Sequence, residues 1–306
     1  MINHPSQVIA IGGASGLIGK SLAQALERDG HTVRRLVRRE VKNPATEIYW
    51  KPSAGEIDAA ALREVDATVH LGGVNIAEQR WTDDFKKRIR ASRVNSTKLL
   101  CDTLAQLDDK PRVHVNASAI GYYGVRGDEP IDEVSPGGKG FLADLCREWE
   151  AATQAAWESG IRVCQMRIGV VLSPDGGALE KMLTPFKMGA GGTLGSGDQY
   201  MSWIALPDVV AAIQFALDHD PLHGAVNATA PRPVTNREFT KTLGEVLHRP
   251  TVVRTPAFAV RLAAGREMAD EMLLGGAKIY PKRLEGEAFE FQCPDITTAL
   301  RTVLGE

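Results

Sequence analysis

Residues 7–37, QVIAIGGASGLIGKSLAQALERDGHTVRRLV, contain the local signals from which the rest of the chain can be read. Val8-Ile9-Ala10-Ile11 is an apolar run that predicts a buried strand. Gly13, Gly16 and Gly19 follow in G-x-x-G-x-x-G spacing, and Leu17, Ile18, Leu22, Ala25 and Leu26 recur at helical intervals. Asp29-Gly30 predicts a stop, and Thr32–Val37 a second strand. So tight a turn favours residues without a Cβ. The helix it opens presents unpaired N–H groups and a positive dipole end, which together cradle a pyrophosphate. The glycine spacing alone is a weak signal, and packing of helix on strand is the competing reading. The strand–turn–helix–strand context favours a dinucleotide site.

The end of the second strand discriminates between dinucleotides. An acidic residue about 20 positions past the glycines binds the ribose 2′-hydroxyl of NAD, whereas an arginine suits the 2′-phosphate of NADP. The strand ends Leu36-Val37-Arg38-Arg39, with Arg38 lying 19 residues past Gly19. A permanently charged fork of donors fits a phosphate. The alternative for Arg38 and Arg39 is a solvated loop charge. NADP(H) is therefore the expected cofactor.

The 306 residues are 43% hydrophobic and 24% charged, enough core for one large domain or two lobes. A net charge of −2 gives no reason to expect nucleic acid or an anionic membrane as partner. With no apolar run of about 18 residues, and no basic-then-apolar leader at Met1–Gln7, the chain reads as cytoplasmic or matrix-like. Cys101, Cys146, Cys164 and Cys293 show no C-x-x-C spacing and read as reduced, mostly buried thiols. No metal-site spacing is read.

Beyond the first unit, Glu47–Trp50 predicts a short strand and Ile57–Val65 a weak helix. Ala67–Leu71 predicts a buried strand closed by Gly72-Gly73, with His70 a packed histidine rather than a catalyst. A long helix spans Asp83–Gln106. Its basic start is a wet face, Arg93 excepted. Arg112–Ala117 is the next strand and leads into Ser118-Ala119-Ile120-Gly121-Tyr122-Tyr123-Gly124, a polar and aromatic strand end of the kind that carries chemistry. Gly127–Gly138 reads as loop, Gly140–Ser159 as helix and Val163–Ile168 as strand. This alternation predicts an α/β protein, a doubly wound parallel sheet. From Gly169 the pattern breaks. A helix at Ala178–Met188, a mobile glycine-rich loop at Gly189–Gly197, a helix at Pro207–Asp218 and a strand at Ala225–Ala228 are expected. Thr235 and Glu238 predict a capping box for a helix to His248. Pro256–Leu274 reads as one helix and Cys293–Leu304 as a terminal one with Asp295 at its N-cap. Residues 1–168, with 205–230 returning, form the expected cofactor domain. Residues 169–204 and 231–306 form a smaller α+β lobe that closes over the substrate.

These stretches resemble the extended short-chain dehydrogenase/reductase superfamily. More narrowly, the chain resembles the epimerase-family group typified by the bacterial YfcH proteins and the human atypical dehydrogenase/reductase of family 39U. The resemblance rests on GGASGLIG (12–19), HLGGVNIAEQRWT (70–82), ASRVNSTKLL (91–100), SAIGYYG (118–124), FLADLCREWEAA (141–152), the long block at 167–204 and NATAPRPVTNREFTKTLGEVLHRP (227–250). It implies a Rossmann fold with NADP(H) lying across Gly13, Ser15, Gly16, Leu17, Ile18 and Gly19, and with Arg38 at the 2′-phosphate. Leu71, Gly72 and Gly73 line the path to the nicotinamide, Val170 sits near it, and Arg93 faces cofactor or substrate.

The departures matter as much. Hydride-transferring members use a Ser or Thr and a Tyr-x-x-x-Lys, the lysine lowering the tyrosine pKa. Here Ala119 stands at the Ser/Thr position, and Phe141 and Leu145 stand for the tyrosine and lysine. Ser118, Tyr122 and Tyr123 remain as candidate proton-handling residues, each with a packing role as the alternative. At Ser202–Asp208 relatives tend to carry His and Asp where Ala205 and Pro207 stand, leaving Asp208 as an expected helix cap. Two readings follow: an oxidoreductase or epimerase acting on an unknown small molecule, sugar-like ones included, or a non-catalytic NADP(H)-binding protein that acts through a partner. A nucleic-acid role is disfavoured, a monomer or homodimer is expected, and the scattered Arg232, Arg237, Arg254 and Arg261 name no diphosphate clamp.

Overall fold

In the computed structural model, which describes residues 6–306, the opening apolar run forms β1 (Val8–Gly12). The leader reading at Met1–Gln7 and the start of the expected cofactor domain fall, at Met1–Pro5, outside the described residues. Helix α1 (Leu17–Arg28) buries Gly19, Leu22, Ala23, Ala25 and Leu26 on one stripe and ends where Gly30 takes a left-handed φ of 88°. Next come β2 (Thr32–Val37), β3 (Glu47–Lys51), the short β4 (Glu56–Ile57) and β5 (Ala67–His70). The long α2 (Asp83–Ala105) starts at Thr82, whose hydroxyl accepts from Phe85 N. After it stand β6 (Val113–Ala119), β7 (Pro130–Ile131), α3 (Phe141–Ala151), α4 (Gln154–Glu158) and β8 (Arg162–Ile168).

The C-terminal half opens with β9 (Val170–Leu172), α5 (Gly177–Lys187), β10 (Gly192–Leu194), β11 (Tyr200–Met201) and β12 (Trp203–Ala205). Helix α6 (Leu206–Asp218) and β13 (Gly224–Ala228) lead back to the main sheet. Then follow β14 (Val234–Thr235), α7 (Asn236–Val246), β15 (Val253–Thr255), α8 (Ala257–Ala264), α9 (Arg266–Met268), β16 (Lys278–Ile279), α10 (Lys282–Gly286) and α11 (Ile296–Leu304).

Eight strands form one sheet in the order β13-β8-β6-β5-β1-β2-β3-β4, every pair parallel except β3–β4. The order reverses between β1 and β5, and the crevice above the carboxyl ends at such a switch point is where this architecture holds its ligands. Both faces are covered. Leu22, Leu26, Val209 and Ile213 pack one face against Ile9, Ile11 and Val69, and Leu100, Cys101 and Leu104 share the other with Ala10, Leu36 and Trp50. Full burial on both sides is why these strands read as unbroken apolar runs, and each such side chain contributes about 2 kcal/mol of transfer free energy. A second core unites Leu179, Leu183, Phe186, Trp203, Phe239, Leu243 and Leu300 in the C-terminal half.

Several expectations are corrected. The helix expected at Ile57–Val65 is instead β4 and one 3-10 turn at Ala60–Leu62, because Ile57 pairs with Trp50 and Asp58 bonds Ala61 N at 3.1 Å. The helix expected over Gly140–Ser159 breaks near Ala152. Gln165, reaching from β8, donates to the Glu150 carbonyl and to Thr153 Oγ1, and Thr153 Oγ1 bonds the same carbonyl. The expected mobile loop at Gly189–Gly197 contains β10, paired with β15 so closely that a Cβ on Gly192 would overlap the Val253 carbonyl. In the Gly127–Gly138 loop β7 pairs with β16. The single helix expected over Pro256–Leu274 breaks at Gly265, φ 88°, into α8, α9 and a π turn at Ala269–Leu273. Asp208 does not cap α6; its carboxylate accepts from Gln292 N and Cys293 N and anchors the tail. Asp295 caps as expected, accepting from Thr298 N, whereas of the Thr235–Glu238 capping box only the first half forms: Thr235 accepts from Glu238 N, and no return bond from the Glu238 carboxylate is made among the described residues.

Candidate functional site

The turn between β1 and α1 is shaped by the residues it lacks. Gly13 has φ 81°, and a Cβ there would lie 2.7 Å from the Leu71 carbonyl carbon. One on Gly19 would overlap the Gly13 carbonyl oxygen. Ser15 and Gly16 are exposed, and Leu17 and Ile18 half-buried. The N-cap, Gly16, supplies no side-chain bond to α1, and the first turn holds no acidic residue. Its N–H groups and positive end are thereby left for an external anion. Leu17 also faces Gly176 at the start of α5, which brings the C-terminal half to the mouth of the turn.

Four arginines follow along and just beyond β2. Arg34 pairs with Glu64, Arg35 with Glu27 and Arg39 with Glu47 through two bonds of 2.6 and 3.0 Å. Glu47 is held down at about 2, first by Arg39. Arg38, exposed at the β2 end, makes no hydrogen bond or ion pair among the described residues. The chain neutralises its neighbours and leaves this guanidinium available beside the glycine turn.

On the other side of the turn, Leu71 donates to the Gly12 carbonyl at 2.8 Å, and Gly73 is exposed at the end of β5. A Cβ on Gly73 would lie 2.8 Å from Arg93 Cζ, so the Arg93 guanidinium lies against this glycine, with the Trp149 ring 5.2 Å away. Val170 is half-buried and pairs with Trp203. His70 is the packed residue expected: fully buried, within 2.9 Å of Ser96 Oγ and edge-on to Trp50. Burial, then His114 and Arg93, lowers its pKa to about 3. All four cysteines are buried and unpaired.

The hydroxyl candidates are bonded or packed within the fold around Arg167 and Glu150. Ser118 Oγ donates to Glu150 Oε1 at 2.7 Å, and Ser118 is sealed from solvent. Tyr123 is fully buried; its hydroxyl donates to Asn227 Oδ1 and accepts from Arg167 Nη1. Burial pushes this phenol up to about 12. Tyr122 lays its ring against the Arg167 guanidinium, 3.5 Å from the centroid, and its Cζ sits beside Gly137 of the 127–138 loop. In the structure the Ser118 hydroxyl is bonded to Glu150 and the Tyr123 hydroxyl to Asn227 and Arg167, the packing alternative the sequence also allowed for each. Phe141 packs on Trp81 at 5.0 Å and Leu145 sits with Phe85 and Ile89, an apolar wall where the resemblance places a tyrosine and a lysine.

The Glu150–Arg167 pair organises this region. Arg167 Nε and Nη2 each bond the carboxylate at 2.8 Å, and Glu150 more than offsets the cost of burying the charge, so the Arg167 pKa is raised. Sequence reasoning missed this pair, and also Glu271, which accepts from Phe141 N and Leu142 N at the start of α3. An arginine inside the apolar run 163–168 was the available signal for the first.

The sheet order, the switch point and the glycine turn define an α/β dinucleotide-fold protein of the extended dehydrogenase/reductase type. The family model for the NAD dependent epimerase/dehydratase family matches residues 9–228, and a domain of unknown function (DUF1731) matches residues 255–303. The chain belongs to the NAD dependent epimerase/dehydratase family. It is 50% identical over 293 residues to Epimerase family protein Mb2239 of Mycobacterium bovis, covering 96% of each chain. The crystal structure of human epimerase family protein SDR39U1 with NADPH superposes with a TM-score of 0.89 at 32% identity, covering 98% of this chain and 99% of that one. A nucleoside-diphosphate sugar epimerase from Corynebacterium glutamicum gives a TM-score of 0.81 at 35% identity, over 98% of this chain and 59% of that one. No helix among the described residues is long and apolar enough to cross a membrane.

Proposed function

We propose that the chain binds NADP(H) across the Gly13–Gly19 turn and uses it as an oxidoreductase or epimerase on a small oxygenated substrate. Arg38 carries the reading: it is an exposed guanidinium without a partner among the described residues, next to arginines that all have one. The NADPH named with the human relative supports the same cofactor. Gly13, Gly16 and Gly19 let the backbone approach the pyrophosphate, and the open N-terminus of α1 meets its charge. Leu71 and Gly72, packed against Gly13, set the floor of the path toward Val170. When bound, the cofactor supplies or accepts the hydride. The apolar wall of Phe141, Trp81 and Leu145 limits water at the reacting end.

Sugar nucleotides with a diphosphate are disfavoured as substrates. Arg237 is tied to Asp198 and the Ser196 carbonyl, and Arg261 to Asp270, so neither is free to clamp a diphosphate; the side chains of Arg232 and Arg254 are unbonded among the described residues, exposed and far apart in sequence. Weak or no turnover of common UDP-sugars is expected, and efficient epimerisation of one would contradict this. A binding-only role draws on one observation, the apolar Phe141 and Leu145 at the tyrosine and lysine positions. The cofactor is tested by fluorescence titration of NADPH and NADH on wild type and Arg38→Ala. Wild type should prefer NADPH, and the variant should lose about tenfold or more of that preference, the worth of a charge-assisted contact. Equal affinities, or a preference untouched by the mutation, would overturn the assignment.

A further inference from the structure

We propose that Arg93 anchors a carboxylate on the substrate, at the end of the groove remote from Arg38. This extends the NADP(H) reading above and rests on it. Among the arginines withdrawn from solvent, Arg167 has Glu150, Arg34 has Glu64 and Arg162 has Asp220 with the carbonyls of Ala216, Leu217 and Leu222. Arg93 has no carboxylate. Its bonds to the Ile89 carbonyl and Ser92 Oγ are both 3.4 Å, at the long limit, and both come from Nη1. Nε and Nη2 make no bond among the described residues, yet neither is among the sealed polar atoms that lack a partner. These donors therefore face accessible space, beside exposed Gly73.

Burial lowers the Arg93 pKa to about 10, which still leaves it charged at neutral pH. A half-buried charge without a counterion is costly, and a ligand anion removes the cost. Its position says which part of the ligand. In the order β2-β1-β5-β6, Arg38 follows β2, the glycine turn follows β1 and Arg93 lies against Gly73, just past β5. A dinucleotide with its 2′-phosphate at Arg38 and its pyrophosphate at the turn directs its reacting end toward Arg93. There Cys146, whose Sγ reaches the Ala119 carbonyl at 3.6 Å, comes within electrostatic range of the guanidinium.

Charge count favours a carboxylate. On α2, Lys86 is paired by Glu267, Lys87 by Asp84 and Arg90 by Glu148, while the exposed Arg88 lies over the Phe85 ring, so Arg93 is the half-buried cation of this helix without an acid among the described residues. One half-buried guanidinium without an acid matches one negative charge, in the bidentate geometry a carboxylate offers. A phosphate dianion would bring a second, unmatched charge against Trp149.

The test begins with NADPH titration of wild type, Arg93→Met, Arg93→Gln and Arg93→Lys. NADP⁺-loaded proteins are then titrated with pyruvate against acetone and phenylpyruvate against phenylacetone, read by the shift in melting temperature. All four proteins should bind NADPH within about threefold of one another, since the residue does not hold the cofactor. The oxo acids should stabilise loaded wild type and the matched ketones should not. The Met and Gln variants should lose about tenfold or more in oxo-acid affinity, with partial retention in the lysine variant. Arg93→Lys and Arg93→Gln carry the comparison if Arg93→Met fails to fold. A tenfold loss of NADPH affinity in the variants would make Arg93 a cofactor ligand and overturn the inference, as would equal effects of acids and ketones. Wild type that binds no NADPH would remove the underlying reading, and with it this one.

Discussion

Arg167 and Arg93 are both drawn in from solvent near the same sheet edge, and the chain treats them in opposite ways. Arg167, 4% exposed, is held by Glu150 through two bonds of 2.8 Å, by the Tyr123 hydroxyl and by the face of the Tyr122 ring. Arg93 has an aromatic ring and a glycine beside it, two long contacts from one nitrogen, and no acid. A buried charge whose donors are all met belongs to the framework; one whose donors face accessible space awaits a ligand. The same distinction separates Arg39, paired with Glu47, from Arg38.

The largest effect should come from breaking the matched side. Glu150→Ala strands the Arg167 charge and should cost about 3–5 kcal/mol in urea unfolding. A loss below about 1 kcal/mol would mean that the pair is not the frame described. Next stands Gly19→Ala, whose methyl would meet the Gly13 carbonyl. It should destabilise by about 1–3 kcal/mol and abolish NADPH binding by pushing the turn apart. Undiminished NADPH affinity would show that the turn is not the cradle. Tyr123→Phe leaves Asn227 Oδ1 and Arg167 Nη1 short of a partner and should cost about 1–2 kcal/mol in the same assay. This loss will not add simply to that of Glu150→Ala, since both touch Arg167.

The smallest effect concerns pH. Glu133 Oε1 accepts from Asn227 N and Arg283 N while Oε2 is sealed without a partner, and burial raises its pKa. The folded chain then holds this proton to higher pH than the unfolded chain, so stability from this group falls as pH rises through the interval just above the ordinary carboxyl range. Glu133→Gln, which keeps an acceptor for both N–H groups, should flatten that slope in thermal unfolding between about pH 4 and 7. An unchanged slope would exclude Glu133 as its source.

What was legible in the sequence was local. The glycine turn, its flanking strands and the stop at Gly30 are set by neighbours within a few residues, and Arg38 could be placed by counting from Gly19. The Thr235 and Asp295 caps were equally readable, because an N-cap bonds only three positions ahead. Features decided across the fold were not. The break after α3 depends on Gln165 arriving from β8, the pinned segment 192–194 on Val253, and the role of Asp208 on a tail more than 80 residues away. The candidate site divides in the same way: the cofactor side is read from spacing, whereas the partners of Ser118 and Tyr123, namely Glu150, Arg167 and Asn227, arrive from across the fold.

The most direct measurement is a crystal structure of the protein soaked with NADPH. The account predicts the pyrophosphate against the N–H groups at the start of α1 and the 2′-phosphate within hydrogen-bonding distance, about 3 Å, of the Arg38 guanidinium. A groove left empty at saturating NADPH, or a 2′-phosphate turned away from Arg38, would contradict it.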